Sequence, residues 1–77
     1  MTLSDAVSRD SEILGGTLCF AGTRVPVRTL FDYLEGGHDI EYFLEGYDWV
    51  KREQVLTVLE HSAQSLESTD LPIRNAS

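Results

Sequence analysis

The sequence predicts a small, mostly α-helical domain: a short N-terminal β-hairpin followed by a three-helix, helix-turn-helix body of the homeodomain-like or winged-helix-like kind. Three observations carry that expectation. Apolar residues recur at helical spacing in three separate stretches after Pro26. Two short apolar runs flank Ala21-Gly22-Thr23, the pattern of a hairpin whose tip needs a permissive backbone. Glycines punctuate the junctions, at Gly15-Gly16, Gly36-Gly37 and Gly46.

With 77 residues the chain makes one domain and can bury only a modest core. Such domains gain stability from disulfides, metals or association. Cys19 is the only cysteine, so no internal disulfide is available, and it reads as a small buried apolar residue. His38 and His61 lie on separate segments with no thiolate near either, so neither a metal nor a cofactor is expected. Association with another chain is the remaining source of burial, and a homodimer is expected.

In chain order, residues 1–12 are polar with scattered apolar positions and read as a flexible lead-in or one frayed turn. The single domain spans 13–66. Thr17 to Phe20 suits a short strand, and Arg24-Val25 begins the return strand. Pro26 cannot donate to a ladder, so that strand is an edge or ends there. A hairpin alone is marginal in water and needs helices beneath it or a strand beside it. The edge formed by Thr17, Leu18, Cys19, Phe20, Arg24 and Val25 is where two copies are expected to meet.

The first helix places Val27, Leu30, Phe31 and Leu34 at i, i+3, i+4 and i+7, with Pro26 in its first turn and Gly36-Gly37 as its stop. The second repeats the spacing with Ile40, Phe43, Leu44 and Tyr47, Asp39 as N-cap, and Gly46 ending or bending it. The third runs from about Lys51 to about Leu66. Val55, Val58, Leu59, Ser62 and Leu66 form its inward stripe, and Trp49-Val50 clamps its start. Residues 67–77 are polar, lack periodicity and read as a disordered tail, with Leu71-Pro72-Ile73 as a small apolar knot.

The net charge of −7 is uneven. Up to residue 31 acids and bases balance. From Asp32 to Asp48 there are six carboxylates (Asp32, Glu35, Asp39, Glu41, Glu45 and Asp48) and no Lys or Arg. That arc repels a phosphate backbone. It reads as a solvated helix face or as a docking surface for a basic partner. No apolar run reaches the roughly 20 residues of a membrane span, and the N-terminus has no basic-then-hydrophobic pattern. With a free thiol as well, a cytoplasmic location is expected.

The glycine-rich stretch Ile13–Val27 lacks the spacing, the lysine and the parallel-sheet context of a phosphate-binding loop. Ser4, Ser8 and Ser11 have no arranged His-Asp partners, so no enzyme is expected. Arg24 is a long cation beside the hairpin tip, able to bind a phosphate, a partner carboxylate or the chain's own carbonyls. With Thr23 it could fix the loop through the backbone and an acid such as Glu12 or Asp32.

Ser11-Glu12-Ile13-Leu14-Gly15-Gly16 followed by Gly22-Thr23-Arg24-Val25-Pro26-Val27 resembles a small bacterial and archaeal family, domain of unknown function 433. The resemblance covers roughly residues 11–64, and Gly-Thr-Arg-Val-Pro-Val is its most specific part. The chain departs from the family pattern at Asp48, where a proline is usual, and at Lys51, where Ser or Thr usually starts the third helix. Members are regarded as antitoxin-like, similar to the VapB type, and are commonly encoded beside PIN-like nuclease toxins. The resemblance therefore implies a module that binds and neutralises a PIN-like ribonuclease and represses its own operon. The alternative is a stand-alone DNA-binding or protein-interaction adaptor without a toxin.

For DNA the candidates are Arg24, Arg28, Lys51, Arg52, Gln54 and Thr57; the front of the third helix would enter a groove, where Gln reads adenine and Arg guanine. A total of six cations is a thin footprint for a polyanion, so DNA contact is expected of a dimer or a toxin complex. For a protein partner the anchor candidates are Trp49, Tyr42, Leu71 and Ile73.

Overall fold

The computed structural model describes residues 1–74. The chain runs α1 (Leu3–Ala6), β1 (Val7–Ser8), a 3-10 turn (Leu14–Gly16), β2 (Cys19–Phe20), α2 (Val27–Glu35), α3 (Ile40–Gly46) and α4 (Arg52–Glu67). It is mostly helical, with a small antiparallel pair at its N-terminal end, as the sequence predicts.

The first difference lies in the segment expected to be a flexible lead-in. Thr2 caps α1 by accepting from the Asp5 N–H (3.3 Å), and Asp5 accepts from the Thr2 N–H in return (3.4 Å). This reciprocal box satisfies two otherwise orphaned donors and holds a helix of one turn. Ala6 and Val7 are buried, and α1 packs on α4. Residues 2–8 therefore belong to the domain, whose N-terminal limit is not residue 13.

Val7 and Ser8 pair antiparallel with Phe20 and Cys19. On the other side β2 meets the expected return segment: the Phe20 N–H donates to the Val25 carbonyl (3.0 Å) and the Val27 N–H to that of Leu18 (2.9 Å). That contact is reduced to a bridge between Cys19 and Pro26, because proline has no N–H to continue it. The middle strand thus has both flanks occupied. Cys19 and Phe20 are buried and cannot serve as the dimer edge, and Leu18 and Val25 are half-covered by the same pairing.

The hairpin tip is fixed locally. The Thr23 hydroxyl donates to the Phe20 carbonyl (2.8 Å) and accepts from the Val25 N–H (3.0 Å), while Gly22 takes φ +78°, a region open mainly to glycine. Leu14 precedes Gly15 and Gly16 in a left-handed run, at φ +49°. A side chain there is strained, and the Thr17 hydroxyl, donating to the Leu14 carbonyl (2.7 Å), helps hold it.

Pro26 sits at the N-cap of α2, one place before the expected first turn. The helix ends at Gly36, with Gly37 at φ +90° and the His38 N–H returning to the Tyr33 carbonyl (3.0 Å). Asp39 caps α3 by accepting from the Tyr42 N–H (2.8 Å). The core gathers Phe20, Leu30, Phe43 and Val55, all fully buried, with the Phe20 and Phe43 rings 6.0 Å apart.

The expected inward stripe of α4 is buried only at its start: Val55 and Val58 are inside, whereas Leu66 is 75% exposed. Of the expected clamp, Val50 is buried and Trp49 is 80% exposed. Ser68 closes α4, and the following residues to Arg74 are exposed and without regular structure. The expected tail beyond residue 74 lies outside the described residues.

Candidate functional site

Gln54 is not where a base reader must be. Its side chain is buried, and its amide donates to the carbonyls of Ala6 (3.1 Å) and Ala21 (3.1 Å). Its oxygen accepts from the Lys51 N–H (2.9 Å). One amide thus closes the start of α4, where Lys51 has no acceptor of its own, and ties it to α1 and to the hairpin tip. With both donors and its oxygen engaged inside the protein and its side chain buried, this amide is not presented to a nucleotide.

The other candidates for DNA divide. Arg28 donates from Nε to Asp32 (3.0 Å) and from an Nη to Glu35 (3.3 Å), a short ladder along the exposed face of α2. Arg52 is paired with Glu41 of α3. Thr57 donates to the Glu53 carbonyl one turn back (2.7 Å). Among the described residues Lys51 and Arg24 are the exposed candidates without an ion pair. The partnership of Arg24 with Glu12 or Asp32 is not made: Asp32 is taken by Arg28, and Thr23, with the Ala21 backbone bonds to Ala6 and Gln54, secures the loop.

What the fold does assemble is a groove of about 700 Å3 beside the hairpin tip. Gly22, Thr23, Arg24 and Val25 of the hairpin tip line it together with Ser8, Asp10, Ile13 and the exposed Trp49. The Glu12 N–H donates to Asp10 (2.9 Å), which fixes that carboxylate in a tight turn. The groove therefore offers an indole face, two aliphatic side chains, a guanidinium without an ion pair and a carboxylate. Sequence reasoning found Trp49 and Arg24 but missed Asp10, Ile13 and Ser8. They reach the groove only because β1 pairs with β2, and the one local hint was the capping pattern of Thr2 and Asp5 that makes the lead-in structured.

Tyr42 is half-exposed on α3 and stacks on His38, with ring centroids 4.3 Å apart and planes at 15°. Behind it Tyr33, Phe43 and Tyr47 pack edge to face or tilted, which sets the outward presentation of α3. The neighbouring Tyr47 phenol pushes the pKa of Tyr33 above its ordinary value, with burial adding to the shift. Leu71 and Ile73 are 72% and 97% exposed and are not brought to the groove. Among the described residues no group of three or more His, Cys, Asp or Glu is placed to hold a metal. No helix among them is long and apolar enough to cross a membrane.

Residues 7–61 match the sequence model of the family described as "Protein of unknown function (DUF433)". The chain is similar to a DUF433 member protein from Anabaena variabilis ATCC 29413, solved in the crystal at 2.00 Å resolution. The TM-score is 0.69 at 25% identity over 84% of this chain. The match spans 64% of that protein, less than two thirds of its length. No curated protein matches.

Proposed function

The chain belongs to the DUF433 family, and from that premise we propose that it is a non-enzymatic, antitoxin-like module of the cytoplasm that binds a basic nuclease of the PIN-like type. The supporting observation is the pairing of opposites on its surface. Trp49, 80% exposed, lines the Arg24 groove and is next in sequence to Asp48, the last carboxylate of the acidic arc. An exposed indole is the side chain most suited to anchoring a protein interface. The chain's net negative charge speeds encounter with a basic partner and weakens binding to polyanions.

Unaided DNA reading has less support, since Gln54 is internal and Arg28 and Arg52 are neutralised by neighbours. Lys51 and Arg24 suit phosphate contact within a toxin complex, and operator binding in this reading is a property of that complex.

The test is co-expression with the nuclease-like product of a neighbouring gene. The wild-type chain is expected to co-purify with it and suppress its ribonuclease activity. Trp49→Ala, at a position that carries little of the fold, should weaken the complex about 10-fold or more while leaving the circular dichroism unchanged. Equal binding by Trp49→Ala, or no neighbour-encoded nuclease that binds, refutes the proposal.

A further inference from the structure

The groove at the hairpin tip sets a chemical requirement on whatever covers it. Arg24 and Asp10 both line it, and among the described residues neither is within ion-pair distance of an opposite charge. The other arginines before residue 74 are engaged: Arg9 donates to the Gly16 carbonyl (3.1 Å), Arg28 to Asp32 and Glu35, and Arg52 to Glu41. The same groove is lined by Ile13, Val25 and the exposed indole of Trp49. A surface that settles on Trp49 takes Arg24 and Asp10 out of water as well. A charge so covered is costly unless it is paired. The occupant must therefore bring a carboxylate, apolar side chains and a cation.

One exposed segment of the chain has that chemistry in that order: Asp70-Leu71-Pro72-Ile73-Arg74. It follows α4 without regular structure, and Leu71 and Ile73 are turned out to solvent. Pro72 fixes its own φ and holds Leu71 in extended backbone, so the segment loses less freedom on docking than an unrestrained one. Extended, it sets Asp70 and Arg74 about 13 Å apart, with Leu71 and Ile73 on one side.

The segment leaves α4 at the end opposite the groove. Gln54 ties the start of the helix to the hairpin tip through the Lys51 N–H (2.9 Å) and the Ala21 carbonyl (3.1 Å). From there the 16 residues of α4 carry the chain about 24 Å away. The three residues from Glu67 to Asp70 recover at most about 11 Å of that. Asp70 thus stops well short of the hairpin end of its own molecule. A second copy faces no such limit.

We infer that in the free protein the groove is covered by residues 70–74 of a second copy, with Asp70 on Arg24, Arg74 on Asp10, and Leu71 and Ile73 against Trp49 and Ile13. A two-fold axis lets each copy give its segment and receive the other's. Two such segments make a small, exchangeable contact, weakened further by the repulsion between two chains of −7 each. The contact covers the indole that the proposed nuclease uses, so the nuclease must displace it. Only that competition rests on the antitoxin reading.

Trp49 is the only tryptophan, so its emission reports the groove directly. The probe is an end-blocked peptide of residues 67–74, titrated into the full chain at about 1 µM, dilute enough to keep the copies apart. A saturable blue shift is expected, with at least about 10-fold weaker binding by the Asp70→Lys peptide. In sedimentation the wild type should move from the mass of one chain toward that of two as concentration rises to about 500 µM. Arg24→Asp and Asp70→Arg, both at exposed positions, should each weaken this about 10-fold with unchanged circular dichroism, and the two together should restore it. An unmoved emission, a wild type that stays monomeric, single variants that associate like the wild type, or a double variant that does not recover would overturn the inference. So would an Asp70→Arg chain whose Trp49 emission differs from the wild type equally at every concentration, since the segment would then cover its own groove. No nuclease enters these assays, so their outcome is separate from whether Trp49 anchors one.

Discussion

The two halves of α4 carry the same apolar stripe and have opposite fates. In the first half Gln54, Val55 and Val58 are buried, and Gln54 makes three hydrogen bonds to α1, the hairpin tip and the helix start. In the second, Leu66 faces outward and Ala63 to Glu67 are exposed. Periodicity states which side of a helix is apolar. It says nothing of whether the chain has an element left to cover that side. Here α1, a single turn, covers what it can reach, and the stripe runs on beyond it.

The difference is open to mutation, and the largest effect is expected at Gln54. Replacement by leucine keeps the volume but strips the Ala21 carbonyl and the Lys51 N–H of their partners; the Ala6 carbonyl keeps the Ala21 N–H (2.9 Å). At about 1–3 kcal/mol for each buried group left unsatisfied, the loss should be about 2–4 kcal/mol in urea unfolding. A loss below about 1 kcal/mol would show that water replaces the amide, and the first half of α4 would be less enclosed than it looks. Val55→Ala comes next. Removing two methyl groups from a fully buried site costs the transfer term plus a cavity, about 2–3 kcal/mol together.

These residues also mark how far the sequence could be read. The cap at Asp39, the stop at Gly36-Gly37 and the turn at Gly22-Thr23 follow from chemistry within four residues of each position, and each stands where it was expected. Three helices at 3.6-residue spacing were legible for the same reason. Gln54 was not, because its partners lie 33 and 48 residues away. Its polarity at the front of a helix suggested a reader of bases, and only the fold reveals that it is an internal tie. The groove at the hairpin tip was half legible: Arg24 and Trp49 stand out in sequence, whereas Asp10 and Ile13 reach it through strand pairing. Thr2 and Asp5, at capping-box spacing, were a readable sign that the first residues are folded, and a polar composition masked it. The exposed end of α4 departs from the expected inward stripe because periodicity marks an apolar face without fixing whether another element packs on it.

The smallest effect, and the most discriminating, is expected at Leu66. In the isolated chain this side chain is 75% exposed, so Leu66→Ala should alter stability by less than about 0.5 kcal/mol when measured dilute, below about 1 µM. A residue that packs on neither its own chain nor a second copy stays neutral as concentration rises. Association stabilises the folded state by mass action, so the wild-type melting temperature should climb with protein concentration. Leu66→Ala should climb in parallel with the wild type, whereas Asp70→Arg should flatten the climb while matching the wild type at the dilute end. Val55→Ala should lower the melting temperature by a similar amount at every concentration. A Leu66→Ala curve that flattens would mean that the outer half of α4 packs in the pair, and the contrast between its halves would then lie in which molecule covers each.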